Sequence, residues 1–359
     1  MRAAPAAAHR VDGEGCTMGR RVTIRDVAAR AGVSAGAVSL ALNDRPGVSA
    51  ETRSRIVEAA KELGWSPNLA ARSLARGAQV HTIGMAIARD TVGTGLDSVH
   101  MALIGGIESV LTERSCSLLL HIAASREAEV ALYRQWWQSG RVNGSVLIGV
   151  SADDPRIEAV HHLGMPVVAV APPEFSGPFP AVSGDDAAAT AEAVRYLAAL
   201  GHRRIAHVRG PASLGRSIQR AQAFEATAAE LDLAGGPAVH TDLSAHGGAR
   251  ATRALLAAGD RPTAILYDND IMAVAGVAVA AEMGLRVPAD VSLVAWDDSD
   301  LCRITWPALS ALSHDPFAFG AEVARCLLEL LDSGHAPSRV FGAPVLVPRG
   351  TTPPPPRPA

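Results

Sequence analysis

The chain is poor in aromatic residues and in cysteine. Phe, Trp and Tyr make up only 4% of its 359 residues, so Ala, Val, Leu and Ile must build most of the core. The four cysteines, Cys16, Cys116, Cys302 and Cys326, lie far apart and form no CxxC pair. This spacing disfavours a disulfide framework or a zinc ribbon, and it fits a reducing compartment.

Long apolar runs and metalloprotease signatures are missing as well. No apolar run approaches the ~18 residues that a membrane span needs. The start, MRAAPAAAHRVDGEG, is too short in apolar residues for a secretory signal. There is no HExxH motif, and the pair His161 and His162 has no further ligands beside it, so a surface position is expected. We therefore expect no cofactor, no metal and no membrane partner.

The formal charge of −3 is unevenly distributed along the chain. Residues 20–76 carry ten basic and five acidic residues, a charge of +5, which leaves −8 for the rest. A basic N-terminal module on an acidic body indicates a polyanion that binds the module alone.

Residues 23–64 have the pattern of three short helices. Thr23, Ser34 and Ser49 are each placed to cap a helix, Gly32 to make a tight turn and Gly64 to end the third helix. Two helices joined by a glycine-containing turn predict a helix-turn-helix unit. Val33, Val38 and Leu42 are expected to face its core.

From Thr82 onward, buried β-runs alternate with helical segments. Nine such runs, from TIGMAIA to PVLVP, alternate with seven helices. Continuous apolar strands between helices indicate parallel sheets covered on both faces, and the number of strands favours two α/β lobes with a cleft between them. The end, PPPPRPA, is expected to be unstructured.

Several stretches together resemble the lac/gal repressor family. The segment from VTIRDVAARAGVSAGAVSLALN to SPNLAARSLARG resembles its DNA-binding head and hinge. The stretches HTIGMAIA, LGHRRIAHVRGP, QRAQAF, YDNDIMAVA, GLRVPADVSLVAWDD and SALSHDPFAFG resemble its effector-binding core, in the family's order. Agreement of several motifs in order is far more specific than any one motif.

The resemblance implies an α/β fold with an N-terminal helix-turn-helix head, a hinge helix and a periplasmic-binding-protein-like core of two Rossmann-like lobes. It also implies a cytoplasmic, nucleoid-associated homodimer that represses transcription by binding a near-palindromic double-stranded operator. A small-molecule effector, a sugar or related metabolite, is expected between the lobes. The expected divisions are 1–20 as a disordered extension, 21–65 as the head, 66–80 as the hinge, 81–348 as the core and 349–359 as a Pro-rich tail. Within the core, the N-lobe is expected at about 81–183 and 311–340, and the C-lobe at about 184–310 and 341–348.

The family's pattern also implies which residues contact DNA. On the head these are Thr23, Ile24, Ser34, Ala35, Gly36, Ser39, Leu40 and Asn43. In the hinge, Leu74 matches a wedge that enters the minor groove, flanked by Ala75 and Arg76. Many relatives carry Arg at the place of Leu40, where it would pair with guanine; Leu40 can only touch thymine methyl groups. Affinity is then expected to depend on phosphate contacts from Arg20, Arg21, Arg25, Arg53 and Arg55.

The same pattern implies an effector site at the carboxyl ends of the strands. Its expected residues are Arg220, Asn269, Asp297 and His314, with Arg89 and Asp90 as further contacts. Asp270 is expected to cap the following helix, and Trp296 to lie in the core. Ala171 stands where sugar-binding members often keep an acid, so a ligand other than a common hexose is expected.

Two other classes of protein remain open from the sequence. A solute-binding protein would explain the core but not the basic head. A nucleotide-dependent enzyme has only GTGLDS in its favour, at residues 93–98, where Ser98 replaces the third glycine of a dinucleotide fingerprint.

Overall fold

A computed structural model describes residues 22–42, 45–65, 81–88, 98–233 and 236–352. The chain divides into two compact units between residues 80 and 81. Asn43, Leu74, Ala75, Arg76, Arg89 and Asp90 lie outside the described residues, so their roles stay predictions.

Within its described residues, the first unit contains three helices, as the sequence predicts: α1 (Ile24–Ala31), α2 (Ala35–Leu42) and α3 (Ala50–Glu62). Gly32 ends α1 with a φ of 67°, a left-handed conformation that glycine adopts without strain. Val27, Val38 and Ile56 are fully buried where the helices meet. Val33 and Leu42 are only half-buried against this cluster.

The second unit contains two six-stranded sheets. The strands of the N-lobe are β1 (Thr82–Ala88), β2 (Ser117–Ala123), β3 (Gly144–Leu147), β4 (Val167–Val170), β5 (Ala181–Ser183) and β11 (Arg339–Val340). Those of the C-lobe are β6 (Ile205–Arg209), β7 (Ala238–His240), β8 (Ala264–Tyr267), β9 (Ser292–Trp296), β10 (Ser310–Ser313) and β12 (Val345–Val347). Their orders are β11-β5-β4-β3-β1-β2 and β12-β10-β9-β8-β6-β7, and every pair is parallel except β10 with β12.

Helices cover the two sheets. In chain order they are α4 (Ser98–Glu113), α5 (Arg126–Gln138), α6 (Pro155–His162), α7 (Asp186–Ala199), α8 (Gly215–Glu230), α9 (Ala245–Ala257), α10 (Asp270–Glu282), α11 (Asp300–Ile304) and α12 (Pro316–Ser333). Apolar side chains fill the space between helices and sheets, in separate clusters for the two lobes. None of the helices in the described ranges is both long and apolar enough to cross a membrane.

Helices α4 and α12 approach each other more closely than side chains allow. A Cβ at Gly106 would lie 1.9 Å from the carbonyl oxygen of Phe317, and one at Gly320 would lie 2.1 Å from that of Leu103. Only glycine fits at these two positions, so backbone packs directly on backbone.

The nine predicted strands are all present, but three further strands were missed. They are β7, β10 and β11, each of two to four residues. The short helices α6 and α11 were missed too. The sequence SALS of β10 contains two serines and resembles a turn, yet it pairs with β9 on one side and β12 on the other.

Two predicted boundaries in the core are wrong. Residues 311–313 belong to the C-lobe, because β10 is hydrogen-bonded to β9, so the chain crosses to the N-lobe between Ser313 and Pro316. The tail does not begin at residue 349, because Thr351 and Thr352 are buried in the C-lobe. Thr351 Oγ1 accepts from the Ser310 amide at 2.8 Å and donates to the Leu293 carbonyl at 2.7 Å.

Candidate functional site

A cavity of about 220 Å³ lies between the carboxyl ends of the two sheets. The chain passes between the lobes three times, at residues 183–186, 313–316 and 340–345, and all three crossovers line the cavity. Parallel sheets typically bind ligands at this edge, where loops and helix N-termini meet. Four predicted effector residues line it together: Arg220, Asn269, Asp297 and His314.

Arg220 is held in place by C-lobe residues on several sides. Its Nε donates to Asp186 Oδ2 at 2.7 Å, and its Nη1 donates to the Asp268 carbonyl at 2.9 Å. Its guanidinium carbon lies 3.4 Å from the centroid of the Trp296 indole ring. Burial alone would lower the pKa of Arg220, but the carboxylates of Asp186, Asp268 and Asp297 raise it, so the side chain stays charged.

Trp296 was expected in the core, and it lies both there and at the cavity. Its side chain is almost fully buried, and the residue lines the cavity. The next residue, Asp297, has a φ of 66°, a left-handed conformation that costs free energy in a residue with a side chain. Its Oδ1 lies 3.8 Å from Nδ1 of His314, too far for a hydrogen bond.

Several polar atoms at the cavity have no hydrogen-bond partner within the described residues. They are Nε1 of Trp296, Nδ1 of His314 and Oε1 of Gln219. Buried polar groups without partners cost free energy, and hydroxyl groups of a ligand are able to pair with both donors and acceptors. The site therefore has the chemistry for a polar, hydroxyl-bearing ligand.

Asn269, rather than Asp270, caps helix α10. Its Oδ1 accepts from the Met272 amide at 2.9 Å, and its Nδ2 donates to the Leu243 carbonyl at 2.8 Å. Asp270 is the first helical residue, and its carboxylate accepts from the hydroxyl of Ser299. The prediction for Asp270 was wrong because both residues suit a cap and the local sequence does not distinguish them.

A buried polar network that contacts Arg220 through Asp268 was not predicted. Arg209 Nε donates to His207 Nδ1 at 3.1 Å, so His207 carries its proton on Nε2 and donates it to Asp268 Oδ1 at 2.9 Å. Burial lowers the pKa of His207. Burial alone would raise the pKa of Asp268, but its interactions with His207, Arg220 and the Gly210 amide hold that pKa well below its usual range. Asp268 follows strand β8 directly, as effector contacts do, and this is the signal that could have identified it.

On the head, local hydrogen bonds hold the predicted DNA-contact residues in position. Thr23 donates from its amide and its hydroxyl to Asp26, and Ser34 Oγ accepts from the Ala37 amide at 3.1 Å. Thr23, Ser34, Gly36 and Ser39 are exposed, whereas Ile24, Ala35 and Leu40 are half-buried. A Cβ built on Gly47 would lie 3.5 Å from Cδ1 of Leu40, so this side chain lies close to the following loop.

Two arginines that were expected to contact phosphates also bind the head's own backbone. Arg53 donates to the carbonyls of Ala41 and, at 3.1 Å, of Arg45, beyond the carboxyl end of α2. Arg55 donates to the Ala31 carbonyl at the end of α1 at 3.1 Å. Both side chains therefore stabilise helix ends, which leaves fewer of their donors for DNA.

Enzymatic and metal sites find no support in the residues described. Within them, no group of three or more His, Cys, Asp or Glu could hold a metal ion. The stretch GVSAG at residues 32–36 has the spacing of a hydrolase nucleophile motif, which requires a strand before the serine and a helix after it. Ser34 instead lies between two helices.

Comparisons with known proteins agree with this arrangement. The family model "Bacterial regulatory proteins, lacI family" matches residues 23–68, and "Periplasmic binding protein-like domain" matches residues 194–352. The chain is 32% identical to the HTH-type transcriptional regulator AglR of Rhizobium meliloti, over 93% of this chain and 95% of that protein.

Two solved structures are similar over nearly the whole chain. One is a lac repressor dimer bound to operator and an anti-inducer, with a TM-score of 0.82 and 28% identity, covering 93% of this chain and 99% of that one. The other is a complex of the transcriptional regulator CelR with cellobiose, with a TM-score of 0.69 and 26% identity, covering 92% of this chain and 100% of that one. The matched proteins are transcriptional regulators, not enzymes.

Proposed function

Because the chain belongs to the lacI family of bacterial regulatory proteins, we propose that it is a transcriptional repressor whose operator affinity is set by a sugar or related metabolite bound in the cleft. The observation that carries this proposal is the presence, in one chain, of a capped three-helix head and a two-lobed core with Arg220, Asn269, Asp297 and His314 around one cavity. A solute-binding protein would not need the head. We place the protein in the cytoplasm, with the nucleoid DNA that it binds.

The proposed DNA surface is the exposed face of helix α2 together with the start of α1. Ala35, Gly36 and Leu40 would face base edges, and Thr23, Ile24, Ser34 and Ser39 would contact phosphates or bases. Helix α2 itself has no Lys or Arg. It therefore favours recognition of methyl groups and groove shape, with charge supplied by neighbouring arginines.

The proposed effector carries hydroxyl groups. The unpartnered polar atoms at the cavity support this, as does the cellobiose in the CelR complex. Arg220 already has Asp186 as a counter-ion, so a ligand need not supply a negative charge to it. A second carboxylate, Asp297, is available to accept from a ligand hydroxyl.

We also propose that the protein acts as a homodimer, as the lac repressor does in its operator complex. Ile304, the last residue of α11, is 76% exposed, and Trp306, two residues after the helix, is 93% exposed. Two large apolar side chains in adjacent exposed positions favour contact with a second copy of the C-lobe.

The proposal is tested by DNA capture from sheared genomic DNA of the host. The full-length protein at about 0.15 M salt should enrich fragments that share a near-palindrome, and one sugar from a panel should release them. The matched variant is Gly36→Glu. A Cβ there meets only Ser34 Oγ at 3.7 Å, so the head should fold while the new charge repels DNA.

Enrichment no greater than that of unrelated fragments would overturn the regulatory function. Effector binding without any DNA enrichment would favour the solute-binding alternative. Full binding by Gly36→Glu would contradict the assignment of α2 as the recognition helix.

A further inference from the structure

Besides the three crossovers, two loops form a small cross-lobe connection at the cavity. Ala152 donates from its amide to the Ser213 carbonyl at 2.7 Å, and Gly215 donates to the Val150 carbonyl at 3.0 Å. Ser151 and Leu214 between them form an antiparallel bridge. Residues 150–152 belong to the N-lobe and residues 213–215 to the C-lobe; we call these two segments the clasp. Val150 and Leu214 line the cavity.

We infer that the clasp is the gate of the effector cleft: it must open to admit or release a ligand, and its closure depends on the absence of a side chain at Gly215. This inference rests on the proposed function of the cavity as an effector site. The three crossovers are covalent and cannot part, whereas the clasp is a non-covalent connection. When the lobes separate, the clasp hydrogen bonds break and water replaces them at low net cost.

Gly215 is the position where steric space limits closure. A Cβ there would lie 2.7 Å from Cδ2 and 3.0 Å from Cγ of Phe175, an N-lobe residue. Phe175 packs against the apolar cluster of its own lobe, so its ring has little freedom to retreat. A methyl group at position 215 would therefore push the two lobes apart at the clasp.

The N-lobe half of the clasp is fixed by a buried charge cluster. The Gly149 carbonyl accepts from Arg126 Nη1 at 3.2 Å and from Arg156 Nη2 at 3.1 Å. Asp154 Oδ2 accepts from the Ser151 amide at 3.0 Å. Arg156 is fully buried, and it pairs with Asp154 and with Glu129. These contacts hold the segment at a defined position, so it should move with its lobe.

The C-lobe half is fixed by the polar network that contacts Arg220 through Asp268. Gly210, at the start of the loop, donates to Asp268 Oδ2 at 2.8 Å and accepts from His240 Nδ1 at 2.9 Å. Gly215 begins helix α8, which also carries Gln219 and Arg220 at the cavity. Opening of the clasp would therefore move the first turns of α8, and with them two cavity residues.

Two measurements on the full-length protein test the gate without DNA or effector. The first is amide-resolved hydrogen exchange at Ala152, which lies on the lobe opposite the substitution. The second is the labelling rate of a thiol introduced by Gln219→Cys, with dithiobis(nitrobenzoate) as the probe. Cys16, outside the described residues, is replaced by serine in every variant, and Cys116, Cys302 and Cys326 are buried.

Gly215→Ala should speed both exchange at Ala152 and labelling at position 219 by about tenfold, because the closed state is disfavoured while each lobe stays folded. Adding Phe175→Ala should return both rates to those of Phe175→Ala alone, since the clashing ring is gone. Gly259→Ala is the matched control, because a Cβ there has nothing within 4 Å. It should change neither rate.

An unchanged labelling rate in Gly215→Ala would overturn the inference that the clasp gates the cleft. An unchanged exchange rate at Ala152 would overturn the inference that the two segments of the clasp open together. Failure of Phe175→Ala to restore the rates would show that Gly215→Ala acts by damaging α8 instead, and this also overturns the inference. Because neither assay uses DNA, these results are independent of whether the protein binds an operator.

Discussion

The guanidinium carbon of Arg220 lies over the indole ring of Trp296, 3.4 Å from the ring centroid. One face of the indole is therefore covered by the cation, and a ligand can stack only elsewhere. Asp186 and the Asp268 carbonyl fix the same guanidinium from other sides. Arg220 is thus oriented before any ligand arrives, which reduces the entropy lost on binding.

Removing the charge of Asp186 should destabilise the C-lobe. Asp186→Asn leaves the buried cation of Arg220 without its closest counter-ion, and breaking a buried pair in this way typically costs about 3–5 kcal/mol. Part of this loss should be offset by Asp268 and Asp297. Urea unfolding of the full chain measures it. The control Asp290→Asn breaks an exposed pair with Arg286 and should have a much smaller effect; equal losses would contradict the structural role of Asp186.

The free energy of unfolding should fall as the pH drops from about 6.5 to about 5. Burial lowers the pKa of His207 and of His202 below the ordinary value of 6.5. In this range the unfolded chain takes up protons that the folded chain does not, so stability rises with pH. His207→Gln should reduce the slope of unfolding free energy against pH, because it removes one of these two imidazoles. An unchanged slope in His207→Gln would show that His207 is not the titrating group.

Two arginines of the head should respond differently to substitution. Arg53→Ala removes donors from the carbonyls of Ala41 and Arg45, so it should lower the stability of the head, by about 1–2 kcal/mol. Arg25 is exposed on α1, so Arg25→Ala should leave stability unchanged and reduce the salt dependence of DNA binding by about one phosphate contact. Thermal unfolding and binding at several salt concentrations separate the two effects. If Arg53→Ala keeps the stability of the head but reduces the salt dependence of DNA binding, Arg53 contacts a DNA phosphate instead.

A charge at Trp306 should weaken the dimer. Trp306→Asp places a carboxylate on the proposed contact surface, and loss of a large aromatic contact typically costs about 2 kcal/mol or more, roughly thirtyfold in the dissociation constant. Sedimentation at micromolar concentration measures the oligomeric state. Val345→Asp, also at an exposed apolar position, serves as the control and should remain dimeric. A dimeric Trp306→Asp would mean that the contact surface lies elsewhere.

Local signals explain what the sequence could predict. The starts of the head's helices, just after Thr23, Ser34 and Ser49, could be predicted because each cap needs only residues within one turn. Strands such as β1 and β9 are continuous apolar runs, so their burial is visible in the sequence. The family resemblance could assign four residues to one site, because each follows or precedes a recognisable motif. These residues are Arg220, Asn269, Asp297 and His314.

What could not be predicted depends on residues far apart in the chain. Strand β10 is held by Thr351 and Thr352, about forty residues later, and its own sequence shows none of this. The network of Asp268 depends on His207, which lies 61 residues before it. The clasp joins loops that follow β3 and β6, and its hydrogen bonds are between backbone atoms, which leave no mark on residue types.

The glycine contact between α4 and α12 determines how motion spreads through the N-lobe. Helix α12 begins just after His314, at the second crossover, and its backbone lies directly against that of α4 at Gly106 and Gly320. At these two positions no side chain lies between the backbones to change rotamer, so the two helices should move together as a rigid pair. A ligand that displaces His314 would then shift α4 by a similar distance, because rearranged side chains between the helices would not take up the displacement.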